Sequence, residues 1–336
     1  MAFCLGRGLF FGAMDNKFKK CMPFRHNGRF YNFKGEVNKG FFVDTILMLC
    51  GSIIHRISNL CKDKRQWIST QKPIERTESC SITWIGHSSF LIQIGNINIL
   101  VDPIFGNPSV LFRRILSPGI SLKNLPPIDV VLISHMHPDH MEQSSLLKLK
   151  KYKPAVIIPL GIKEWFDRNK FNNSSELSWW EHKKLTINGT DITFTLLPAK
   201  HWSQRTLSDK NKSLWGSWMI ECNGHTIYFA GDTIYSDHFK HISDEFKHID
   251  VALLPIGPCE PDRFMKHCHM NAENAGKAFC DLNAQHMIPM HWGTFPFGCE
   301  PFDLPIKRLQ QWIRNNQLYL CKKNVYMPKC GQRLSF

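Results

Sequence analysis

The chain has 336 residues, 43% of them hydrophobic and 21% charged, which is long enough for a large core and too apolar for a disordered polyelectrolyte. Lys and Arg (42) outnumber Asp and Glu (28), and the formal net charge of +14 favours polyanions without choosing between nucleic acid, anionic lipid and phosphorylated metabolites. The 12 cysteines are scattered with no C-x-x-C pair, so reduced, intracellular thiols are expected rather than a disulfide framework.

Residues 1–79 read as a basic N-terminal extension with membrane contact in view. Met1 to Met14 is apolar but broken by Gly6, Arg7, Gly8 and Gly12 and lacks a basic leading segment, so no signal peptide is expected. From Phe41 to Cys61, Val43, Ile46, Leu47, Cys50, Ile54, Ile57 and Leu60 recur at helical spacing and predict an amphipathic helix too short in its apolar part to cross a bilayer. Its stripe either packs on the body of the protein or enters lipid while Arg56, Lys62, Lys64 and Arg65 meet head groups.

Residues 80–336 read as one catalytic domain. Strands are predicted at Ser81–Trp84, Phe90–Ile94, Ile97–Val101 and Val130–Ser134, with Asn96 in a hairpin turn. Helical segments over 144–150 and 161–169 flank a strand at Ala155–Pro159, and this alternation indicates an α/β arrangement. A strand over 192–198 runs into His201. A second hairpin is expected from 215–221 and 226–230, ending at Asp232. The strand Val251–Pro255, a helix over 271–282 and the strand His286–Met290 lead to His291.

The chemistry concentrates after the apolar run Val130-Val131-Leu132-Ile133, in Ser134-His135-Met136-His137-Pro138-Asp139-His140. Three imidazoles and a carboxylate in so short a stretch are the ligand types that zinc and similar borderline metals prefer.

That stretch resembles the H-x-H-x-D-H motif of the metallo-β-lactamase fold. With Thr83–His87, Val101–Phe105, Leu125–Asp129, Leu214–Trp218, Phe229–Thr233, Glu260-Pro261, Phe264–Lys266 and His291–Phe295, it is similar to the N-acylphosphatidylethanolamine-specific phospholipase D branch, from about Ser81 to the C-terminus. The resemblance implies an αββα sandwich of two mixed sheets packed face to face, helices outside. It implies two Zn2+ per chain: His135, His137 and His201 on one, Asp139, His140 and His291 on the other, Asp232 bridging. Asp102 and His87 would stand behind the ligands. Asp139 and His269 would be catalytic, His269 also meeting the substrate phosphate, with Cys268 beside it where the family has glutamine.

The activity implied is hydrolysis of N-acylphosphatidylethanolamine to N-acylethanolamine and phosphatidic acid by metal-activated hydroxide. A phospholipid substrate, a peripheral, intracellular place on a membrane surface and a homodimer go with it, and no nucleic acid is expected. The rival reading is a soluble lactonase, or a phosphodiesterase of a sugar phosphate or nucleic acid.

Overall fold

A computed structural model of the chain describes residues 22–33 and 64–336. The helix expected over 41–61 and the apolar start of the chain lie outside the described residues.

The described chain opens with a short hairpin, β1 (Phe24–His26) and β2 (Arg29–Tyr31). The first half of the body then runs β3 (Ser81–Gly86), β4 (Ser89–Ile94), β5 (Ile97–Val101), β6 (Val130–Leu132), α1 (Gln143–Leu149), β7 (Ala155–Pro159), α2 (Lys163–Arg168) and β8 (Ser174–Leu177). The second runs β9 (His182–Ile187), β10 (Thr190–Leu197), β11 (Ser217–Cys222), β12 (His225–Phe229), α3 (His238–Glu245), β13 (Val251–Pro255), α4 (Asp262–Met265), α5 (Ala272–Asp281) and β14 (His286–Met290). It closes with α6 (Leu304–Asn315), β15 (Asn324–Val325) and β16 (Arg333–Ser335).

These strands form two seven-stranded sheets, ordered β16-β3-β4-β5-β6-β7-β8 and β15-β14-β13-β12-β11-β10-β9. Each is antiparallel at its hairpins and parallel from β5 to β8 or from β12 to β15, so both are mixed and the two halves repeat one plan. The hairpin turns place Asn and Gly at positive φ: Gly95-Asn96, Asn188-Gly189 and Asn223-Gly224. Asn and Gly tolerate that left-handed backbone, which matches the twist of the flanking strands.

The inner faces of both sheets share one core, in which Ile92, Ile99 and Leu132 of the first sheet meet Phe194, Ile220 and Phe229 of the second. Outside the first sheet, α1 and α2 bury Leu146, Leu149 and Phe166 against Leu91, Val131 and Val156. Outside the second, α3 and α5 contribute Phe239, Ile242, Ala275 and Phe279. Strands covered on both faces carry the unbroken apolar runs Val130-Val131-Leu132 and Val251-Ala252-Leu253-Leu254. This is the αββα sandwich expected from the sequence.

Four buried tryptophans connect this core to one rim of the sandwich. The indole N–H of Trp84 donates to the His87 carbonyl (2.9 Å), Trp215 to Ala199 (2.9 Å), Trp218 to Ile133 (3.1 Å) and Trp179 to Trp215 (2.5 Å). A buried Trp stabilises by hydrophobic burial and fixes a carbonyl at its polar end. Three of those carbonyls lie at His87 or two residues before His135 and His201, so core packing sets where these histidines start.

Part of the N-terminal extension also reaches this rim. Phe30 and Phe33 join the main core, the Phe30 N–H donates to the Asn211 carbonyl, and the Asn32 side chain accepts from the His201 N–H at 3.1 Å.

Candidate metal centre

Loops beyond the C-terminal ends of strands carry the candidate ligands: β6, β12 and β14 each have a parallel neighbour, whereas β10 is antiparallel to both of its neighbours. His135, His137, Asp139 and His140 follow β6; His201 follows β10; Asp232 follows β12; His291 follows β14. The β3–β4 turn adds His87, whose positive φ of 56° turns it toward the same rim. All seven expected ligands meet there.

Their ligand atoms form two main groups, each within 4.8 Å of one another: His135, His137, His201 and Asp232, and His87, Asp139, His140 and His291. Asp232 links the two. Its Oδ2 lies 3.6 Å from His201 Nε2, 3.9 Å from His135 Nε2 and 3.2 Å from His140 Nε2, while Oδ1 lies 3.2 Å from His291 Nε2. Asp139 Oδ2 lies 3.4 Å from His140 Nε2, 3.7 Å from His291 Nε2 and 2.9 Å from His87 Nε2. His87 thus stands among the atoms of the second group.

Hydrogen bonds behind the rings decide which nitrogen each histidine presents. The Ser134 hydroxyl donates to Asp102 Oδ2 (2.6 Å), so it accepts from His135 Nδ1–H (2.8 Å). Asp102 Oδ2 also accepts from His140 Nδ1–H at 2.7 Å. The carbonyls of Cys268 and Gly257 accept from Nδ1 of His201 (3.1 Å) and His291 (2.9 Å). Four rings are thereby held with Nε2 facing inward, the outer-shell pattern of metal-binding histidines. His137 is turned the other way, its Nδ1 2.7 Å from His135 Nε2 and its ring against Trp202.

Several of the inward atoms have no hydrogen-bond partner among the described residues. His140 Nε2, His291 Nε2, His269 Nδ1 and Asp232 Oδ1 are buried without a hydrogen bond. Orphaned buried polar atoms cost roughly 1–3 kcal/mol each, a cost that a bound ion removes. The donor set, with imidazole nitrogens and carboxylate oxygens around shared Asp232, fits divalent borderline metals.

Electrostatics point the same way. Burial pushes His87, His201 and His269 down to about 3 and His137 to about 4, so these rings are neutral near pH 7 and available as ligands. Burial works against charge at His140 and His291 too, but Asp232 and Asp139 outweigh it, raising both, His291 to about 9. Conversely, burial would raise Asp139 and Asp232, yet the facing histidines hold both well below the usual carboxylate range.

The structure also locates the remaining residues singled out from sequence. Asp102 is fully buried, accepting from Ser134 and His140. His269, after α4, sits at the mouth with Nδ1 3.7 Å from Asp232 Oδ2. Cys268 is buried and touches the site through its carbonyl, so its backbone orients His201. Sequence reasoning missed Ser134 as a hydrogen-bond relay, Gly257 as the anchor of His291, and Arg205, whose guanidinium donates to the Met141 carbonyl (2.5 Å) at the end of the ligand loop. Ser134 adjoined the motif, but its hydroxyl partner is visible only in three dimensions.

Comparison with known proteins identifies the family and the fold. The family described as "Beta-lactamase superfamily domain" matches residues 97–292. The chain is 33% identical over 235 residues to N-acyl-phosphatidylethanolamine-hydrolyzing phospholipase D 1 of Caenorhabditis elegans, covering 66% of each chain. It is 35% identical over 262 residues to the mitochondrial N-acyl-phosphatidylethanolamine-hydrolyzing phospholipase D of Saccharomyces cerevisiae, covering 76% of this chain and 55% of the yeast protein. The matched stretch therefore spans just under two thirds of the nematode protein and little over half of the yeast one. Among solved structures, Igni18, a metallo hydrolase from Ignicoccus hospitalis, superposes with a TM-score of 0.61 at 23% identity, over 77% of this chain and 98% of its own, a likeness of fold. With the sandwich, the ligand-bearing strand ends and a family match over more than half its length, the chain belongs to the beta-lactamase superfamily and carries the histidine and aspartate clusters of a metal-dependent hydrolase.

Proposed function

We propose that this chain is a phosphodiester hydrolase of the phospholipase D type that cleaves N-acylphosphatidylethanolamine to N-acylethanolamine and phosphatidic acid, with two zinc ions. The reading rests most on the joining of a two-part ligand cluster to an aromatic wall. Phe297 lies 5.6 Å from His87 and 6.4 Å from His291 between ring centres, and Phe112 lies 5.0 Å beyond it. Phe112 belongs to the same loop as Val110 and Leu111, which are 83% and 56% exposed. A path that is polar at the metal ligands and apolar toward solvent suits a lipid phosphodiester, with phosphate at the cluster and acyl chains along the aromatic rings. The names of the nematode and yeast relatives agree with it.

His135, His137, His201 and Asp232 would hold one ion, Asp139, His140 and His291 with Asp232 the other. When bound, the two cations supply positive charge for the phosphoryl oxygens and make water acidic enough to furnish a nucleophile near neutral pH. Asp102, through Ser134, His135 and His140, keeps both halves of the cluster in register. Asp139 accepts from His87 and holds the second group together from its centre. His269, neutral near pH 7 and at the mouth, is placed to hydrogen-bond a phosphoryl oxygen or to pass a proton to the leaving alkoxide. The half-buried Trp202 and Phe297 flank the cluster on two sides.

Attachment to a membrane surface belongs to the same proposal. Leu207 is fully exposed on the loop after His201, near Lys210, and Arg113 follows the exposed pair Val110-Leu111. Among the described residues no helix is long and apolar enough to cross a membrane. The arrangement supports peripheral contact, with apolar side chains entering the interface and cations meeting anionic head groups.

Incubating the metal-loaded chain with a mixed phospholipid extract and weighing the products tests the reaction. N-acylethanolamines and phosphatidic acid are expected. Release of other products, or turnover of soluble lactones or sugar phosphates alone, would replace it with the rival reading.

A further inference from the structure

A second concavity lies on the solvent side of the other sheet, built by residues none of which belongs to the metal-ligand cluster. It has a volume of about 420 Å3 and is lined by Trp180, His182, Thr193, Thr195, Glu221, Glu245 and Phe246. Register explains the floor: Thr193 of β10 sits opposite Glu221 of β11 on one side and Lys184 of β9 on the other, so all three share the outer face. Trp180 stands at the entrance to β9, and Phe246 follows the last residue of α3.

The groove is chemically one-sided. Among the described residues, two aromatic rings and two carboxylates line it, and neither Lys nor Arg does. Lys184, the cation nearest in register, is committed to Asp191 at 2.7 Å. Partial burial raises the Glu221 carboxyl above its usual range, with His182 pulling the other way. Glu245 ends α3, where no basic residue occupies the last turn. The carbonyl end of a helix carries partial negative charge, so an acid there is repelled unless a cation offsets it. A negative, aromatic-walled hollow runs against the chain's overall net charge of +14.

We propose that this groove binds a small organic cation, a protonated amine or quaternary ammonium group, between the Trp180 and Phe246 rings and the Glu221 and Glu245 carboxylates. The ring faces attract the cation through their quadrupoles, Glu221 supplies the charge partner, and Thr193 and Thr195 offer hydroxyls to a polar substituent. Aromatic faces combined with carboxylates prefer a weakly hydrated organic cation over a strongly hydrated metal ion.

Calorimetric titration of the full metal-loaded chain with choline, and with its neutral isostere 3,3-dimethylbutan-1-ol, tests this. Choline should bind saturably at one site per chain, at least tenfold tighter than the alcohol. Glu221→Gln, which removes charge without changing volume, should weaken choline at least fivefold while lipid hydrolysis stays unchanged, and Trp180→Leu should do the same. No saturable choline binding, equal binding of the neutral isostere, or undiminished affinity in Glu221→Gln would overturn the proposal. Hydrolysis is read separately, so loss of choline binding and loss of the proposed lipase activity are distinguishable.

Discussion

The Ser134 hydroxyl lies 2.6 Å from Asp102 Oδ2, and through this contact one buried carboxylate orients histidines on both sides of the cluster. Asp102 reaches His140 directly and His135 by way of Ser134. Removing the Ser134 oxygen frees His135 to turn or change tautomer while leaving His140 held. Ser134→Ala should therefore lower metal affinity by roughly 10- to 100-fold, the usual effect of losing an outer-shell partner. Chelator competition measures it, with the thermal transition of the metal-free chain as a control. An unchanged affinity would show that packing alone fixes His135.

His137→Ala removes an inward nitrogen from the first group, and Asp232→Asn removes the charge that links the two. Each should reduce lipid hydrolysis to background while far-ultraviolet circular dichroism stays native. Asp232→Asn should also lower the metal content of both groups, whereas His137→Ala should lower it in one. Retained turnover in either variant contradicts the assigned roles.

Val110 and Leu111 project from a loop that shares the aromatic wall of the site. If they enter lipid, Val110→Asp with Leu111→Asp removes two apolar contacts worth about 1.5–3 kcal/mol each when fully buried. Binding to anionic vesicles should fall at least tenfold, with hydrolysis of a short-chain, micelle-free substrate nearly unchanged. Equal losses in both assays would place the loop in catalysis rather than attachment.

His238, outside the metal groups, packs between Phe33 and Phe239, and burial pushes it down to about 3. The depressed value sets the sign. Above about pH 6.5 the ring is neutral folded or unfolded and costs nothing; below that only the unfolded chain gains the proton. Stability should thus be lost as pH falls from 6.5 toward 3, by about 1.4 kcal/mol per pH unit for this residue. Denaturant titrations of the metal-free chain should show a shallower acid slope in His238→Phe. An identical slope would assign acid lability to other groups.

The parts legible in the sequence were those whose physics is local. Strands buried on both faces, such as Val251–Pro255, announce themselves as apolar runs, and Asn271 marks a helix start that the structure confirms by its side chain accepting from the Asn274 N–H. The ligand loop was legible because its residues adjoin. Less so was the end of its strand: pairing stops at Leu132 rather than Ser134, because the Ser134 N–H leaves the ladder for Asp102 Oδ1 at 2.7 Å.

Long-range pairing hid the rest. The polar edge strands β8 and β9, Ser174–Leu177 and His182–Ile187, have little apolar signal, and β16 exists only because Arg333 to Ser335 find Thr83 to Ser81. The place of His87 among the second ligand group, and the carbonyls that orient His201 and His291, likewise depend on which loops meet.

On the function proposed above, the cluster around Asp232 grips a pair of cations on which hydrolysis depends. Elemental analysis of the extensively dialysed full chain, assayed in the same sample, addresses it most directly. About two zinc ions per chain and activity that disappears with their removal are expected; a folded, metal-free chain that still turns over lipid would rule out metal-dependent hydrolysis.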